Sequence, residues 1–296
     1  LTSATTPKTW VTKLVAVVGN DVWVKTGNET AAWAIPPGGS GAIGGSGNDE
    51  QSLTAASMHQ YLFIADGDAT SPIKRFDPDA SADTVTALTA GSGANNWTVG
   101  SGSAPTNINT VFRYHDRLVL CEDSENPHLW YMSRSGQPLD FNFDDSDALA
   151  AIYAQNTNMG QLGEPIRGAA PHGDQCVIFL CDNSTWSLRA DPGFGGRLDN
   201  LSQRIGCVHR NAWLFWLSQD GVCGMRPGCG DSPISVSRER IPEDLMFIDR
   251  KFYHVSMEYD IRHRGIHLYI TPIETLGAAA KTHYWLDTKQ TETGDK

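Results

Sequence analysis

Six times along the chain a short apolar run is followed by a polar turn and then by a second apolar or aromatic run. Few folds are open to a sequence punctuated in this way. The first runs occupy residues 14–18, 61–64, 118–120, 176–180, 213–217 and 266–270. In five of the six a turn rich in Gly, Asn, Asp or Pro follows directly. The second runs include Val22-Trp23-Val24, Leu129-Trp130-Tyr131, Thr185-Trp186-Ser187-Leu188, Val222-Cys223-Gly224-Met225 and His283-Tyr284-Trp285-Leu286. The second unit is looser and leads from Ile64 through Asp66-Gly67-Asp68 to Ile73-Lys74-Arg75-Phe76. An apolar run, a turn and a second run is the pattern of a β-hairpin. The spacing predicts the same hairpin reused about every 40–60 residues, at or a little above the period of a propeller blade.

The first run of each pair is nearly continuous in apolar residues and does not alternate. Such a strand is buried on both faces. Middle strands of a propeller blade lie between two neighbouring blades, which supplies that double burial. Stacked two-layer sandwiches would supply it too, but the period favours the propeller. The expectation is a single all-β domain over residues 1–296, a β-propeller of about six blades. Trp23, Trp130, Trp186 and Trp285 should take comparable places on the second strands of their hairpins. Helical signal is confined to residues 147–154 and 243–248, about two turns each, so no βαβ fold is supported.

Two low-complexity inserts, about residues 36–48 and 89–107, read as Gly/Ser-rich flexible loops without a core of their own. Trp97, inside the second, is a candidate contact anchor. The last unit stops just after its second strand, before the polar residues 288–296. Residues 9–13, strand-like and near the start, are the favoured segment to complete that blade; chain beyond Lys296 is the other solution.

The formal charge is −11 and uneven, with 8 Lys/Arg against 17 Asp/Glu in residues 1–148 and 15 against 17 in residues 149–296. An acidic field repels phosphate, so an electropositive nucleic-acid footprint is not expected. No run of 18 apolar residues spans a membrane. The six cysteines (121, 176, 181, 207, 223 and 229) are sparse and follow no secretory signal, so six free, unmetallated thiols are expected.

Local chemistry is weak. Asp182-Asn183-Ser184-Thr185-Trp186 echoes the repeated turn of sialidases, but Cys181 and Asn183 stand where its Asp and Gly belong. Asp140, Asn142, Asp144 and Ser146 have calcium-loop spacing, yet Asp145 and Ala151 occupy the Gly and bidentate Glu positions. Cys223-x5-Cys229 is not a zinc spacing, and Cys207 with His209 is a poor pair. Cys176 and Cys181 differ by an odd number and face opposite ways on one strand. His115, His128, His172, His209, His263, His267 and His283 mostly flank strands and read as hydrogen-bonding residues at strand ends. No nucleophile elbow, phosphate loop or His-Glu-x-x-His is present.

The order of several motifs does resemble a known family. Tyr114-His115-Asp116-Arg117-Leu118-Val119-Leu120 is followed by Asn126-Pro127-His128-Leu129-Trp130-Tyr131-Met132-Ser133-Arg134-Ser135-Gly136 and Asp140-Phe141. Then come Gly163-Glu164-Pro165-Ile166-Arg167, Asp182–Leu188, Arg204-Ile205-Gly206, Asp220-Gly221-Val222, Ser237-Arg238-Glu239-Arg240-Ile241-Pro242 and His283-Tyr284-Trp285-Leu286-Asp287. Over about residues 108–290 this is similar to the β-propeller part of the nozzle, hub or stabilisation proteins of short-tailed bacteriophages. The resemblance implies a non-enzymatic structural virion protein, a ring subunit around the DNA channel. Its expected partners are portal- or adaptor-side proteins, tail fibres or spikes, and copies of itself. DNA would pass it without sequence-specific binding, and assembly would occur in the host cytoplasm. The resemblance implies no catalytic residues, cofactor, metal or membrane anchor. The family's additional tube-forming domain is not evident here. The alternative reading is a carbohydrate-binding or glycan-cleaving propeller at the tail tip.

Overall fold

A computed structural model describes residues 13–27, 30–44, 53–68, 73–78, 83–90, 96–97, 107–154, 162–207, 215–218, 221–225, 229–237, 248, 252–260, 262–272 and 282–287. Twenty-one strands account for nearly all regular structure among them. A two-stranded sheet comprises β1 (Lys13–Val18) and β2 (Asp21–Thr26). The next holds β3 (Thr54–Met58), β4 (Tyr61–Ala65), β5 (Ile73–Asp77), β6 (Thr84–Ala90) and the short β7 (Asn96–Trp97). Two four-stranded sheets follow. One has β8 (Ile108–Tyr114), β9 (Arg117–Asp123), β10 (Trp130–Met132) and β11 (Ile152–Tyr153). The other has β12 (Ile166–His172), β13 (Cys176–Cys181), β14 (Thr185–Arg189) and β15 (Arg197–Ser202). Two three-stranded sheets complete the chain: β16 (Phe215–Ser218), β17 (Gly221–Gly224) and β18 (Ile234–Ser235), then β19 (Tyr253–Asp260), β20 (Gly265–Pro272) and β21 (Thr282–Asp287).

Within each sheet the strand order follows the chain, and every pairing but β6 with β7 is antiparallel. This is the up-and-down meander of a propeller blade. All six hairpins expected from the sequence are present, as β1–β2, β4–β5, β9–β10, β13–β14, β16–β17 and β20–β21. Trp23, Trp130, Trp186 and Trp285 all lie on second strands. The blade count is coarser than expected: five sheets have three or more strands, and β1–β2 is only a hairpin among the described residues.

The sheets pack in sequence. Val22 and Val24 of β2 meet Ile64, Phe76 and Val85 of the second sheet. Phe63, Leu88, Val119, Trp130, Val177 and Phe179 run through the second, third and fourth. Ile178, Val222, Val255, Ile266 and Leu268 join the fourth to the last two. Sandwiching explains the continuous apolar strands, since all six residues of β13 are buried. The end sheets differ. Leu14 is 52% exposed and Val18 is 64% exposed on β1, while Tyr269 and Trp285 of the last sheet remain open. Lys13 and Leu14 pair with Thr26 and Lys25, and no described ladder joins them to β19–β21. Of the segment 9–13 offered above as a closing strand, Lys13 belongs to β1 and residues 9–12 lie outside the described residues.

Three expectations need correction. Residues 147–154 form turns and β11, not a helix, because Tyr153 and Ile152 find ladder partners in Tyr131 and Met132. Residues 243–247 lie outside the described residues. The first low-complexity insert is not a loose loop over residues 36–44. Gly39 accepts a hydrogen bond from Val22 N, Pro37 accepts one from Val85 N, and Ile43 is buried. Glycine permits the approach: a Cβ on Gly38, whose φ is +75°, would stand 2.2 Å from Val85 O. Residues 45–48 are outside the described set. So is most of 89–107, although Trp97 pairs through its backbone with Ala90. Finally, Cys176 and Cys229 form a disulfide with Cα atoms 6.1 Å apart, joining β13 to the segment before β18. The other four cysteines are buried and form no disulfide, and Cys176 is not paired with Cys181. Linear spacing could not reveal a bridge between neighbouring sheets.

Candidate functional site

The deepest polar construction surrounds Arg117, the first residue of β9. Its guanidinium is fully buried and donates from Nε to Asp191 Oδ2 at 2.6 Å. From Nη1 it donates to the carbonyls of Ser133 and Ala150 at 2.8 and 2.6 Å, and from Nη2 to Ala148 O at 3.0 Å. The other oxygen of Asp191 caps the 3-10 turn Pro192–Phe194 by accepting from Gly193 N at 2.8 Å. One side chain therefore fixes the loop after β10 and the turn after β14, on adjacent sheets. A rigid planar fork suits this use, since it serves several acceptors at once.

Between that loop and that turn lies an open cleft of about 570 Å³, with Asp144, Asp145 and Asp147 on one wall and Pro192, Gly193 and Arg197 on the other. It contains part of the calcium-like spacing. Three carboxylates of this stretch serve local turns instead. Asp140 accepts from Asn142 N at 2.9 Å, Asp144 from Ser146 N and Oγ at 2.9 and 2.7 Å, and Asp147 from Leu149 N at 2.9 Å and Arg134 at 2.6 Å. The Ser146 hydroxyl and amide hold Asp144 below the usual carboxylate range, and the Leu149 amide with Arg134 does the same for Asp147. A general acid needs the opposite shift. No group of three or more His, Cys, Asp or Glu among the described residues could hold a metal ion.

A second polar construction is the ion pair of Lys74 and Asp66, 2.7 Å apart and almost wholly buried. Burial pushes the Asp66 carboxyl up, against the opposing pull of Lys74. Asp66 also accepts from Gly44 N at 2.8 Å, which anchors the end of the glycine-rich segment.

The sialidase-like turn is a hairpin connection. Cys181 N donates to Ser184 O at 2.8 Å, and Glu164 accepts from Asn183 N and Ser184 Oγ at 2.9 and 3.1 Å. Arg167 grips both oxygens of Asp182 at 2.6 and 3.2 Å. Cys223 lies 3.2 Å from Ser218 Oγ in the core, and His209 lies outside the described residues.

One concentration of groups was missed by reading each histidine singly. His267 and His283 are inside strands, not at strand ends. Their Nδ1 and Nε2 atoms are 2.9 Å apart. Tyr269 stacks on His283 at 4.6 Å, and Trp285 lies 4.5 Å from His267. His263 contacts Asp260 at 2.6 Å, which draws the Asp260 carboxyl well down. The available signal was period two: Gly265, His267 and Tyr269 share one face of β20, as His283 and Trp285 share one face of β21.

No family model and no curated protein sequence matches the chain. Among solved structures, apo AztD from Citrobacter koseri aligns at 7% identity and a TM-score of 0.33, covering 91% of this chain and 59% of AztD. PorZ of Porphyromonas gingivalis, described as an essential bacterial surface component of the type-IX secretion system, aligns at 10% identity and a TM-score of 0.34. That match covers 96% of this chain and 34% of PorZ. The chain thus spans about a third to three fifths of these proteins. Likeness at this level carries no functional assignment; the propeller is defined by the sheets themselves.

Proposed function

We propose that the chain is a structural, non-enzymatic subunit of a bacteriophage tail, a nozzle- or hub-like component of the ring around the DNA channel. The observation that carries this reading is the pair of open end faces. β1 exposes Leu14 and Val18 at one end of the series of sheets, and the last sheet exposes Tyr269 and Trp285 at the other. Uncovered sheet faces at both ends suit a subunit that meets neighbours on two sides. Copies of itself, portal- or adaptor-side proteins and tail fibres or spikes are the proposed neighbours. β1–β2 is then the kernel of a sixth blade beside the five larger sheets.

Two further features support the reading. The motif order across about residues 108–290 resembles that of the tail propellers. The charge of −11 suits a lumen past which DNA must slide, because it gives phosphates nothing to hold. The test is quantitative mass spectrometry of particles purified from the lysate in which the chain is expressed. A fixed whole-number ratio to the portal protein is expected, with density for the propeller on the tail axis. Absence from purified particles, or a trace amount that varies between preparations, refutes the proposal.

A further inference from the structure

We infer that the cleft between the loop after β10 and the turn after β14 docks a basic segment of another protein, one that carries an arginine or lysine beside a large apolar side chain. This goes beyond the structural role proposed above and does not depend on it. The cleft belongs to the third and fourth sheets, not to either of the end sheets. Phe143, Ala151, Ile152 and Leu198 supply the apolar part of its lining. Two large apolar side chains stand beside it in water. Leu149 follows the lining residue Ala148 and is 43% exposed; Phe194, between the lining residues Gly193 and Gly195, is 65% exposed. Exposed apolar groups next to a cleft are what a partner's side chains can cover.

Charge decides among occupants. The lining holds Asp144, Asp145 and Asp147 against one cation, Arg197. Arg134 pairs with Asp147 at 2.6 Å, and Arg197 pairs with Asp199 at 2.7 Å. Arg134 and Asp199, the two partners outside the lining, cancel each other, so the negative surplus stands. Asp144 and Asp145 are exposed, so an incoming guanidinium or ammonium can reach both. Nucleic acid and acidic peptides meet like charge here. A purely apolar partner would strip water from these carboxylates and bring no cation in return. A lone small cation would leave Leu149 and Phe194 in water. A peptide chain with both kinds of side chain answers the acidic wall and the apolar groups together.

Both walls are held in advance. Arg117 grips the carbonyl of Ala148 on one side and, through Asp191, the capped turn Pro192–Phe194 on the other. Gly193 lies against the opposite wall so closely that a Cβ there would stand 2.0 Å from Ala148 O. The backbones of the two exposed apolar residues are tied as well: Leu149 O accepts from Ser135 N and Phe194 N donates to Asp191 O, each at 3.0 Å. A site fixed in this way loses little freedom when a partner arrives.

The test offers the full chain a library of displayed nonapeptides randomised among arginine, lysine, glutamate, leucine, phenylalanine, serine and glycine. Retained peptides should be enriched in arginine or lysine beside leucine or phenylalanine and depleted in glutamate. The most enriched one, made synthetically, should bind with a Kd of about 100 μM or tighter by titration calorimetry. Its affinity should fall several-fold between about 50 and about 500 mM salt. Phe194→Ser should weaken it at least about tenfold and Asp145→Lys at least about fivefold, both with an unchanged melting temperature. Three results overturn the inference: no enrichment over background, enrichment of acidic or purely apolar peptides, or an enriched peptide indifferent to either substitution. A wild-type oligomer that Phe194→Ser dissociates would assign the cleft to a second copy instead, and would also overturn it. Particle composition, which tests the structural role, is unaffected by any of these outcomes.

Discussion

Replacing Arg117 with Met should destabilise the protein by about 3–5 kcal/mol, the range for removing one partner of a buried ion pair. Two of its acceptors, the carbonyls of Ser133 and Ala150, are fully buried, and in the variant each lacks its charged donor. An unsatisfied buried acceptor costs about 1–3 kcal/mol. The Ala148 and Leu149 carbonyls are only partly buried, so water can replace some of what they lose. Asp191, at 15% exposure, is also partly rehydrated. The methionine chain keeps most of the packing, which holds the total inside the quoted range and not above it. Arg117→Lys should cost less, about 2 kcal/mol, because an ammonium has three donors for five acceptors. Urea unfolding followed by tryptophan fluorescence measures both, with the midpoint falling and the slope unchanged. In the double variant Arg117→Met with Asp191→Asn, the combined loss should be smaller than the sum of the singles. A loss below about 1 kcal/mol for a natively folded Arg117→Met would show that the guanidinium is not the clamp between these sheets.

Two further outcomes follow from the side chains. Denatured, non-reduced protein should titrate four thiols and yield one linked peptide containing Cys176 and Cys229; six thiols would remove the bridge from the structure. Reducing that bridge, which closes a separation of 53 residues, should cost about 4 kcal/mol by loop entropy, read as a fall in the unfolding midpoint. Burial pushes the Tyr114 and Tyr153 hydroxyls up to about 12, and Tyr131 is raised as well. A folded pKa above the unfolded one means stability is complete below pH about 10 and declines as pH rises through the folded value. Spectrophotometric titration should find these three phenols silent below pH about 11 until the chain unfolds. Their ionisation in the folded chain near pH 10 would contradict the burial.

The hairpins were legible in the sequence because they depend on local signals: an apolar run, a turn residue and an aromatic run. Double burial was legible too, as in Cys176-Val177-Ile178-Phe179-Leu180. What escaped was set by partners distant in the chain. Residues 147–154 have a helical composition but find a strand partner in Tyr131 and Met132. The segment 36–44 looks featureless because its glycines are there to let backbone approach backbone, and composition alone cannot distinguish that use from looseness. The bridge between Cys176 and Cys229, and the role of Arg117, depend on which sheets become neighbours. The His267–His283 pair was hidden for a different reason. Its signal was in the alternation of two strands read together, not in any motif along one.

The packing of each sheet on its predecessor bears on how the chain is made. Lys13 reaches Asp83, 70 residues on; His59 reaches Gly136, 77 residues on; and Arg117 reaches Asp191, 74 residues on. Each tie therefore spans about one and a half repeats, the distance to the next sheet. A nascent chain leaving the ribosome can dock each newly completed meander on the one before it, without waiting for distant sequence. Arg117 has to remain unsatisfied only until Asp191 is synthesised, a delay of several seconds at about 5–20 residues per second. Vectorial synthesis and spatial order run in the same direction, so an all-β protein of this length avoids most of the slow, long-range search that sheet topologies otherwise impose.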